Sequence, residues 1–486
     1  MSVFLLFGFA ALAGISLFWF LVRLERGGNS STTILIVLWV LVLDAALYTD
    51  PNEVPVGLFH PGVGADPDPT DDILESAISF RLVDLLIPIA IGARLYARGL
   101  PERIRIASVC LLAFLAWLAC AGVIGFINGN AADLIAFELK AILYLGIFGL
   151  VASISIRSFV GGRGLLALLY GAAGLATSLI VMDGFGFVVR LDIPLLPLPR
   201  FGQLGADAAG IFVSLGVIAL ALALVRETGR LRLFAAAGPL LLTPAVASQR
   251  AAILTLIVSL ATFVLVAFAT RRPLRATPTE FALLGAIVVS LVLLPAVGGL
   301  ALGSSDARLP FEQKVQETFT SRGKQQSAQS RLNQLKKARE LIEERPVTGW
   351  GLGKTYMHYD AGYFQFFETN YTHNMGTDLL MRTGAIGLIL FVLAILLSFL
   401  EGLRAWRRQA DDLAAVMGLA SAAIISGLLA RGMVESLFEK YRLATLLGIV
   451  LGIVGSVAVT PVRARFEERV KPDMEKAWSS GTSFAR

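Results

Sequence analysis

Charged residues and cysteine are scarce in this chain, and both shortages narrow the possibilities. Of its 486 residues, 16% are charged and 56% are hydrophobic. The net charge is +6. Outside the short loops, no basic patch is interleaved with aromatic residues, so this charge gives little support for nucleic-acid binding. The two cysteines, Cys110 and Cys120, share one apolar run. About 15 Å of helical rise separates them, which excludes a disulfide between them.

Histidine is also rare, and the sequence predicts neither a metal site nor a cofactor from a cluster of ligands. There are three histidines, and no group of His, Asp and Glu has the spacing of metal ligands. The acidic run 66–72 has paired carboxylates that would suit Mg²⁺ or Mn²⁺. Its prolines favour an extended, solvated loop instead. Both interpretations of this run stay open.

Apolar runs of about 20 residues recur along the whole chain, and each is long enough to cross a bilayer as a helix. The predicted spans, about thirteen in number, are 2–22, 33–48, 80–98, 104–127, 132–152, 159–182, 206–225, 233–248, 251–269, 280–301, 375–400, 412–433 and 441–460. They predict an all-α, polytopic membrane bundle without a separate soluble domain. The first run lacks a basic n-region and a cleavage site, so we expect a retained helix.

The runs divide the chain into a transmembrane bundle (1–301), a long loop (302–374), C-terminal transmembrane helices (375–460) and a basic tail (461–486). Arginines fall in every second short loop, and the positive-inside rule makes those loops cytoplasmic. The N-terminus and the loop 302–374 are then expected outside. Loops of this length are usually functional.

An amphipathic helix is predicted in this loop, over 330–345. It ends before Pro346, and four apolar residues recur at helical spacing: Leu332, Leu335, Leu341 and Ile342. We expect the helix to lie on the membrane surface or to cap the bundle. A lid without chemistry is the alternative.

Glycines and aromatic residues follow this helix. The run Gly349-Trp350-Gly351-Leu352-Gly353 has a backbone that can turn sharply. The aromatic residues after it are Tyr356, Tyr359, Tyr363, Phe364, Phe366, Phe367 and Tyr371. Aromatic faces suit both sugar rings and lipid headgroups. A membrane-interface belt and an acceptor-binding surface therefore both stay open, with Trp350 and Tyr371 as candidates for the latter.

His373 begins the next apolar run and is followed by Asn374. The dipole at a helix N-terminus disfavours imidazolium, so His373 is expected to be neutral and able to accept a proton. Asn374 would orient the ring or cap the helix. A surface or capping histidine without catalytic function is the alternative.

Three arginines on the outward side suggest an anion site. Arg250 stands in a tight turn after a short, proline-containing run, so we expect it to be recessed. A mid-bilayer arginine costs roughly 2.5–3.5 kcal/mol and usually has an anionic partner. Phosphate is a good partner because guanidinium binds it bidentately, although Arg250 would alternatively snorkel to headgroups. Arg200 and Arg431 are further candidates for phosphate contacts.

Three outward segments, in this order, resemble the O-antigen ligase and polymerase superfamily of bacterial envelope glycosyltransferases. They are Arg200-Phe201-Gly202, then Ser248-Gln249-Arg250-Ala251, and then a run from Arg331 and Leu332 through 344–353 to His373-Asn374 and Gly384-Ala385-Ile386-Gly387. The last segment is the specific one, and the rest agrees in topology alone. The chain departs from the family pattern at Ala206-Asp207-Ala208, at Gly376 and Thr377, and at Arg382, where an acid is common.

The resemblance implies a GT-C-like bundle and a metal-independent, inverting transfer of a glycan from undecaprenyl diphosphate, without a cofactor. His373 would accept the proton of the acceptor hydroxyl. Arg200 and Arg250 would bind the diphosphate, and Arg322 and Arg331 would contact the diphosphate or the acceptor. The acceptor would be lipid A core, a growing polysaccharide or a protein hydroxyl. The site would face the periplasm from the bacterial inner membrane.

Two other classes of protein stay open. A solute transporter should carry ionisable residues at the membrane midplane and show an internal repeat. Here the charges of interest cluster at the outward ends of the runs, and no convincing repeat is present. A non-catalytic envelope scaffold would leave the recessed Arg250 unexplained.

Overall fold

The computed structural model describes residues 15–27, 30–47, 82–98, 105–153, 156–184, 192–193, 196–197, 206–226, 229–247, 250–269, 321–360, 364–409, 411–438 and 440–459. The first half contains α1 (15–26), α2 (Ser30–Leu47), α3 (Leu82–Arg98), α4 (Ile106–Ile127), α5 (Ala132–Ala152), α6 (Ile156–Gly161), α7 (Arg163–Gly184), β1 (Asp192–Ile193) and β2 (Leu196–Pro197). The second half contains α8 (Ala206–Val225), α9 (Arg230–Val246), α10 (Arg250–Ala269), α11 (Ser321–Glu344), β3 (Tyr356–Asp360), β4 (Gln365–Thr369), α12 (Met375–Arg408), α13 (Asp412–Gly432) and α14 (Tyr441–Val459).

The predicted all-α membrane bundle is confirmed. Within the described part of the chain, 7 helices are long and apolar enough to cross a membrane: α4, α5, α7, α8, α10, α12 and α13. Shorter apolar stretches lie in α2, α3 and α14. The predicted span 280–301, the start of the first span, the acidic run 66–72 and the tail 461–486 lie outside the described residues.

Two helices form the centre of the bundle. The apolar window of α8 is 94% buried against the rest of the chain, and that of α13 is 78% buried. A helix that is apolar on every side has no face suited to water and fits best among other helices. The two central helices also bring Asp207, at the start of α8, and Arg431, at the end of α13, to the same end of the bundle, where they form an ion pair.

Residues 321–374, which we call the lid, cover that end of the bundle. Its helix α11 ends at Glu344, as predicted before Pro346. The predicted apolar stripe is wrong at Leu332, which is 58% exposed. Leu341 is buried, as the stripe predicts, and the other buried positions are Ser330, Gln334 and Ala338.

The reason for this difference is that α11 packs on a strand edge that offers polar partners. The Ser330 hydroxyl donates to Asp360 at 2.7 Å, and the Gln334 amide lies 3.0 Å from the ring of His358. The strands β3 and β4 form an antiparallel hairpin in which Tyr356 lies opposite Thr369. The aromatic residues of this segment were expected from the sequence, but the two strands were not.

A break in α12 lets the lid enter the bundle. Gly384 has φ 64° and ψ −170°, which splits the helix after its first nine residues. The carbonyls of Met381 and Arg382 then accept hydrogen bonds from the N–H groups of Trp350 and Gly351, both at 2.9 Å. The glycine turn (349–353) thus satisfies these two freed carbonyls, as burial requires.

Candidate functional site

His373 lies in the loop 370–374, which joins β4 to α12 and which we call the histidine loop. The imidazole is half-buried, and the ring of Tyr371 meets it edge-on with centroids 5.4 Å apart. Asn374 caps α12, since its Oδ1 accepts from the Thr377 N–H at 2.9 Å. Its amide also donates to the Met433 carbonyl at 2.9 Å. Asn374 therefore ties the histidine loop to the segment between α13 and α14.

The surroundings of His373 keep the imidazole neutral. The pKa of His373 is lowered to about 4, chiefly by burial and next by the positive charge of Arg331; Lys440 also lowers it, and Glu435 opposes these effects. The group therefore loses its proton as the pH rises through about 4, and it is an acceptor throughout the neutral range. Neutral imidazole is the form that a general base requires.

We expect Arg331→Ala to raise the pKa of His373, because the variant removes the positive charge that lowers this pKa most after burial. Histidine-labelled protein titrated by NMR in detergent measures the midpoint directly. Arg339→Ala is the matched control, because Arg339 lies on the same helix, is 81% exposed and pairs with Glu343. An unmoved midpoint in Arg331→Ala, or an equal rise in Arg339→Ala, would contradict this electrostatic account.

Four charged side chains gather beside the histidine loop, and we call them the charge cluster: Asp207, Arg431, Glu435 and Lys440. The guanidinium of Arg431 is fully buried, with Nε 2.8 Å from Glu435 Oε2 and Nη2 3.3 Å from Asp207 Oδ1. The ammonium of Lys440 lies 3.3 Å from Glu435 Oε1 and 3.6 Å from Asp207 Oδ1. Both carboxylates are therefore shared between two cations.

This arrangement bears on the phosphate contact predicted for Arg431. Two carboxylates occupy its guanidinium, and Gly210 lies so close that an added Cβ would be 2.6 Å from Nη1. A donor phosphate would have to replace a carboxylate to reach Arg431, so this role stays a prediction. Sequence reasoning did not pair Asp207 with Arg431, because they are 224 residues apart.

Of the other candidate arginines, the structure describes the side chain of Arg331. Arg331 is exposed, and its Nη1 lies 3.4 Å from the Val434 carbonyl, so α11 reaches the same segment as Asn374. Arg322 lies in the first turn of α11, but its side chain is outside the described residues. Arg200 is outside them altogether.

Arg250 begins α10, and helix packing gives its level in the bundle. Gly427 of α13 lies against α10, since an added Cβ there would be 2.6 Å from the Thr255 carbonyl oxygen. Arg250 stands five residues before Thr255, about 7.5 Å further along the helix. Arg431 stands four residues after Gly427, about 6 Å along an antiparallel neighbour. The backbone of Arg250 therefore lies near the level of the charge cluster, although its side chain is not described.

Trp350 and Tyr371, the candidate acceptor-binding residues, belong to the lid, and both contact other residues of the lid. The Arg345 guanidinium and the Lys354 ammonium lie 4.2 and 4.3 Å from the Trp350 ring centroid. The indole N–H donates to the Leu341 carbonyl at 2.8 Å. The carbonyl of Tyr371 accepts from the Tyr356 hydroxyl at 2.7 Å. These contacts hold the lid together, and acceptor binding by either residue stays a prediction.

The part of the chain that the structure describes contains no candidate metal centre. Among those residues, no group of three or more His, Cys, Asp and Glu side chains is placed to hold a metal ion. His358 is buried in the lid, where burial lowers its pKa and Asp360 opposes the change. His60 and the acidic run 66–72 lie outside the described residues.

Comparison with known proteins places a family domain over this site. Residues 235–392 match the family model described as O-antigen ligase. The matched segment contains Arg250, the lid, His373 and the first part of α12, whereas all four residues of the charge cluster lie outside it. A search of curated proteins found no match. Over residues 235–392 the chain is therefore similar to the O-antigen ligase family, and this match supports the predicted O-antigen ligase and polymerase superfamily.

Proposed function

We propose that this protein transfers a glycan from undecaprenyl diphosphate to an acceptor hydroxyl by an inverting, metal-independent reaction. The observation that carries the proposal is a neutral, half-buried His373 with cations beside it, inside a segment that matches the O-antigen ligase family model. A neutral base next to cations suits a reaction in which a hydroxyl loses a proton and an anionic group leaves.

In the proposed reaction, His373 accepts the hydroxyl proton while the acceptor oxygen attacks the anomeric carbon. The bond from that carbon to the diphosphate oxygen breaks on the opposite face, which inverts the configuration. Undecaprenyl diphosphate leaves with the bonding electrons, and Arg200, Arg250 and Arg331 stabilise its negative charge. A positioned donor of this kind contributes roughly 2.7–4 kcal/mol in other enzymes.

The donor itself would strengthen the base. Arg331 and Lys440 lower the pKa of His373 in the empty site. A bound diphosphate brings negative charge to these cations and weakens their effect on the imidazole. The proton affinity of His373 would therefore rise when the donor is in place, so that the base is strongest in the complex that needs it.

The site is proposed to face the periplasm from the inner membrane, with lipid A core or a growing polysaccharide as the acceptor. A protein hydroxyl is the alternative acceptor. The hairpin that leads into the histidine loop has exposed aromatic side chains, among them Phe364 at 71% and Phe366 at 66% exposure. Tyr359 packs edge-on against Phe366, with centroids 5.5 Å apart. Such faces suit a sugar ring or a lipid headgroup.

The glycan profile of a deletion strain tests this function and separates its two forms. Full-length polymer that stays unattached would indicate a ligase. Single repeat units on the lipid carrier would indicate a polymerase. Unchanged glycans together with lost uptake of a solute would contradict the proposal and favour a transporter. Complementation with the wild-type chain is the control for effects on neighbouring genes.

A further inference from the structure

Three buried charged side chains lie behind the histidine loop and take no part in the proposed chemistry. We call Glu138, Asp378 and Arg382 the buried triad. Arg382 Nη2 lies 3.4 Å from Glu138 Oε1 and 3.2 Å from Asp378 Oδ1. The exposed fractions of the side chains are 6% for Arg382, 3% for Glu138 and 1% for Asp378. The triad joins α5 to the first part of α12.

Glu138 and Arg382 bind the lid on one side of His373. Glu138 Oε2 accepts from the Gly353 N–H at 2.8 Å, at the end of the glycine turn. Glu138 Oε1 accepts from the Asn370 amide at 3.1 Å, and Arg382 Nη2 donates to the Asn370 carbonyl at 2.5 Å. Asn370 is therefore held through both its side chain and its backbone.

Asp378 binds the segments nearest to His373. Its Oδ1 accepts from the Thr372 N–H at 3.2 Å, and its Oδ2 accepts from the Ser436 hydroxyl at 3.0 Å. Thr372 precedes His373 directly, and Ser436 follows Glu435 of the charge cluster. Asp378 therefore connects the histidine loop to the segment that carries Glu435 and Lys440.

Stability alone does not account for this arrangement. Burying three charges costs desolvation energy, and buried ion pairs are often no more stabilising than apolar residues of similar volume. The triad directs its hydrogen bonds to the glycine turn, the histidine loop and the segment after α13. These contacts indicate that the triad fixes the positions of the three segments relative to one another.

We propose that Arg382 is a positioning residue for glycan transfer, which together with Glu138 and Asp378 holds His373 at a set distance from the charge cluster. The proposal rests on the proposed function of His373 as the base. Arg382 touches no reacting atom in it and acts through the backbone of the histidine loop.

Arg382→Lys tests the proposal, because lysine keeps the charge and loses the planar fork that reaches two carboxylates and a carbonyl together. We expect turnover to fall by about 10²-fold, the effect of roughly 1 Å of misplacement. The donor KM should change by less than about twofold, since donor binding is not the function lost. The pKa of His373 should rise from about 4 towards its ordinary value, because a looser loop exposes the imidazole.

Arg94→Lys is the matched control. Arg94 also forms a buried pair, 3.1 Å from Glu25, and it contacts Ser153 at the far end of α5. Ser153 is fifteen residues from Glu138, about 22 Å of helix. We expect this variant to keep its turnover within about twofold and to leave the His373 titration unmoved.

A second variant keeps the test decisive if Arg382→Lys does not fold. Asn370→Ala leaves the three charges paired and removes one link to the loop, so we expect turnover to fall by about tenfold. Wild-type turnover and an unmoved His373 titration in a folded Arg382→Lys protein would overturn the proposal. An equal loss in Arg94→Lys would also overturn it, because the effect would then be general destabilisation.

The role of His373 as the base is tested separately, by the activity of His373→Ala. If His373→Ala stays active, the base assignment fails, whereas the titration of His373 in Arg382→Lys still reports whether the triad holds the loop. If His373→Ala is inactive and Arg382→Lys resembles wild type in both readouts, the positioning proposal fails by itself.

Discussion

His373→Ala is expected to lower the rate of glycan transfer by about 10²–10⁴-fold, the usual contribution of a general base. The reason is that the variant removes the neutral imidazole that accepts the hydroxyl proton. Donor binding should persist, because the phosphate contacts are assigned to arginines. Transfer of radiolabelled glycan and binding of the lipid donor, both measured on purified protein in detergent, separate these effects.

His60→Ala is the control for His373→Ala, since it removes another of the three histidines from a part of the chain outside the matched domain. It should keep its activity within about twofold of wild type. Near-normal transfer by His373→Ala would show that another group accepts the proton.

Arg250→Ala has the second largest expected effect, a fall of about 10²–10³-fold in kcat/KM for the donor. The guanidinium is proposed to bind the diphosphate and to stabilise the charge that develops as it leaves. Arg250→Lys should recover only part of the loss, because an ammonium does not reproduce the bidentate contact. Initial rates over a range of donor concentrations measure both variants.

Arg339→Ala is the control for Arg250→Ala, because its partner in the lid is Glu343 at the exposed surface. Its effect on donor kinetics should be less than about twofold. Undiminished donor binding and turnover in Arg250→Ala would reject the assignment and leave snorkelling to headgroups as the function of this arginine.

The helices of this fold were predictable because a membrane imposes a simple condition on sequence. An apolar run of sufficient length satisfies its own backbone as a helix, and α4 and α5 follow their predicted spans closely. The break at Gly384 was not predicted. Glycine is common in membrane helices, and the break is stabilised by N–H groups of Trp350 and Gly351, more than thirty residues earlier in the chain.

The site was predictable to the extent that its residues are close in sequence. His373 and Asn374 stand together at a helix start, and capping by Asn374 follows from that position. Lys440 was missed as a neighbour of His373, and Asp207 as a partner of Lys440, because each pair is far apart in the sequence. Arg382 was recognised as a departure from the family pattern, but its contact with Glu138 depends on how α5 meets the first part of α12 in the fold.

The most direct test is transfer by the purified protein in vesicles that contain an undecaprenyl-diphosphate-linked glycan and a hydroxyl acceptor, with EDTA present. The account predicts equal amounts of transferred glycan and released undecaprenyl diphosphate, an inverted anomeric linkage and no effect of EDTA. It also predicts that His373→Ala forms neither product at a comparable rate. A retained configuration, a requirement for divalent metal, or wild-type transfer by His373→Ala would contradict it.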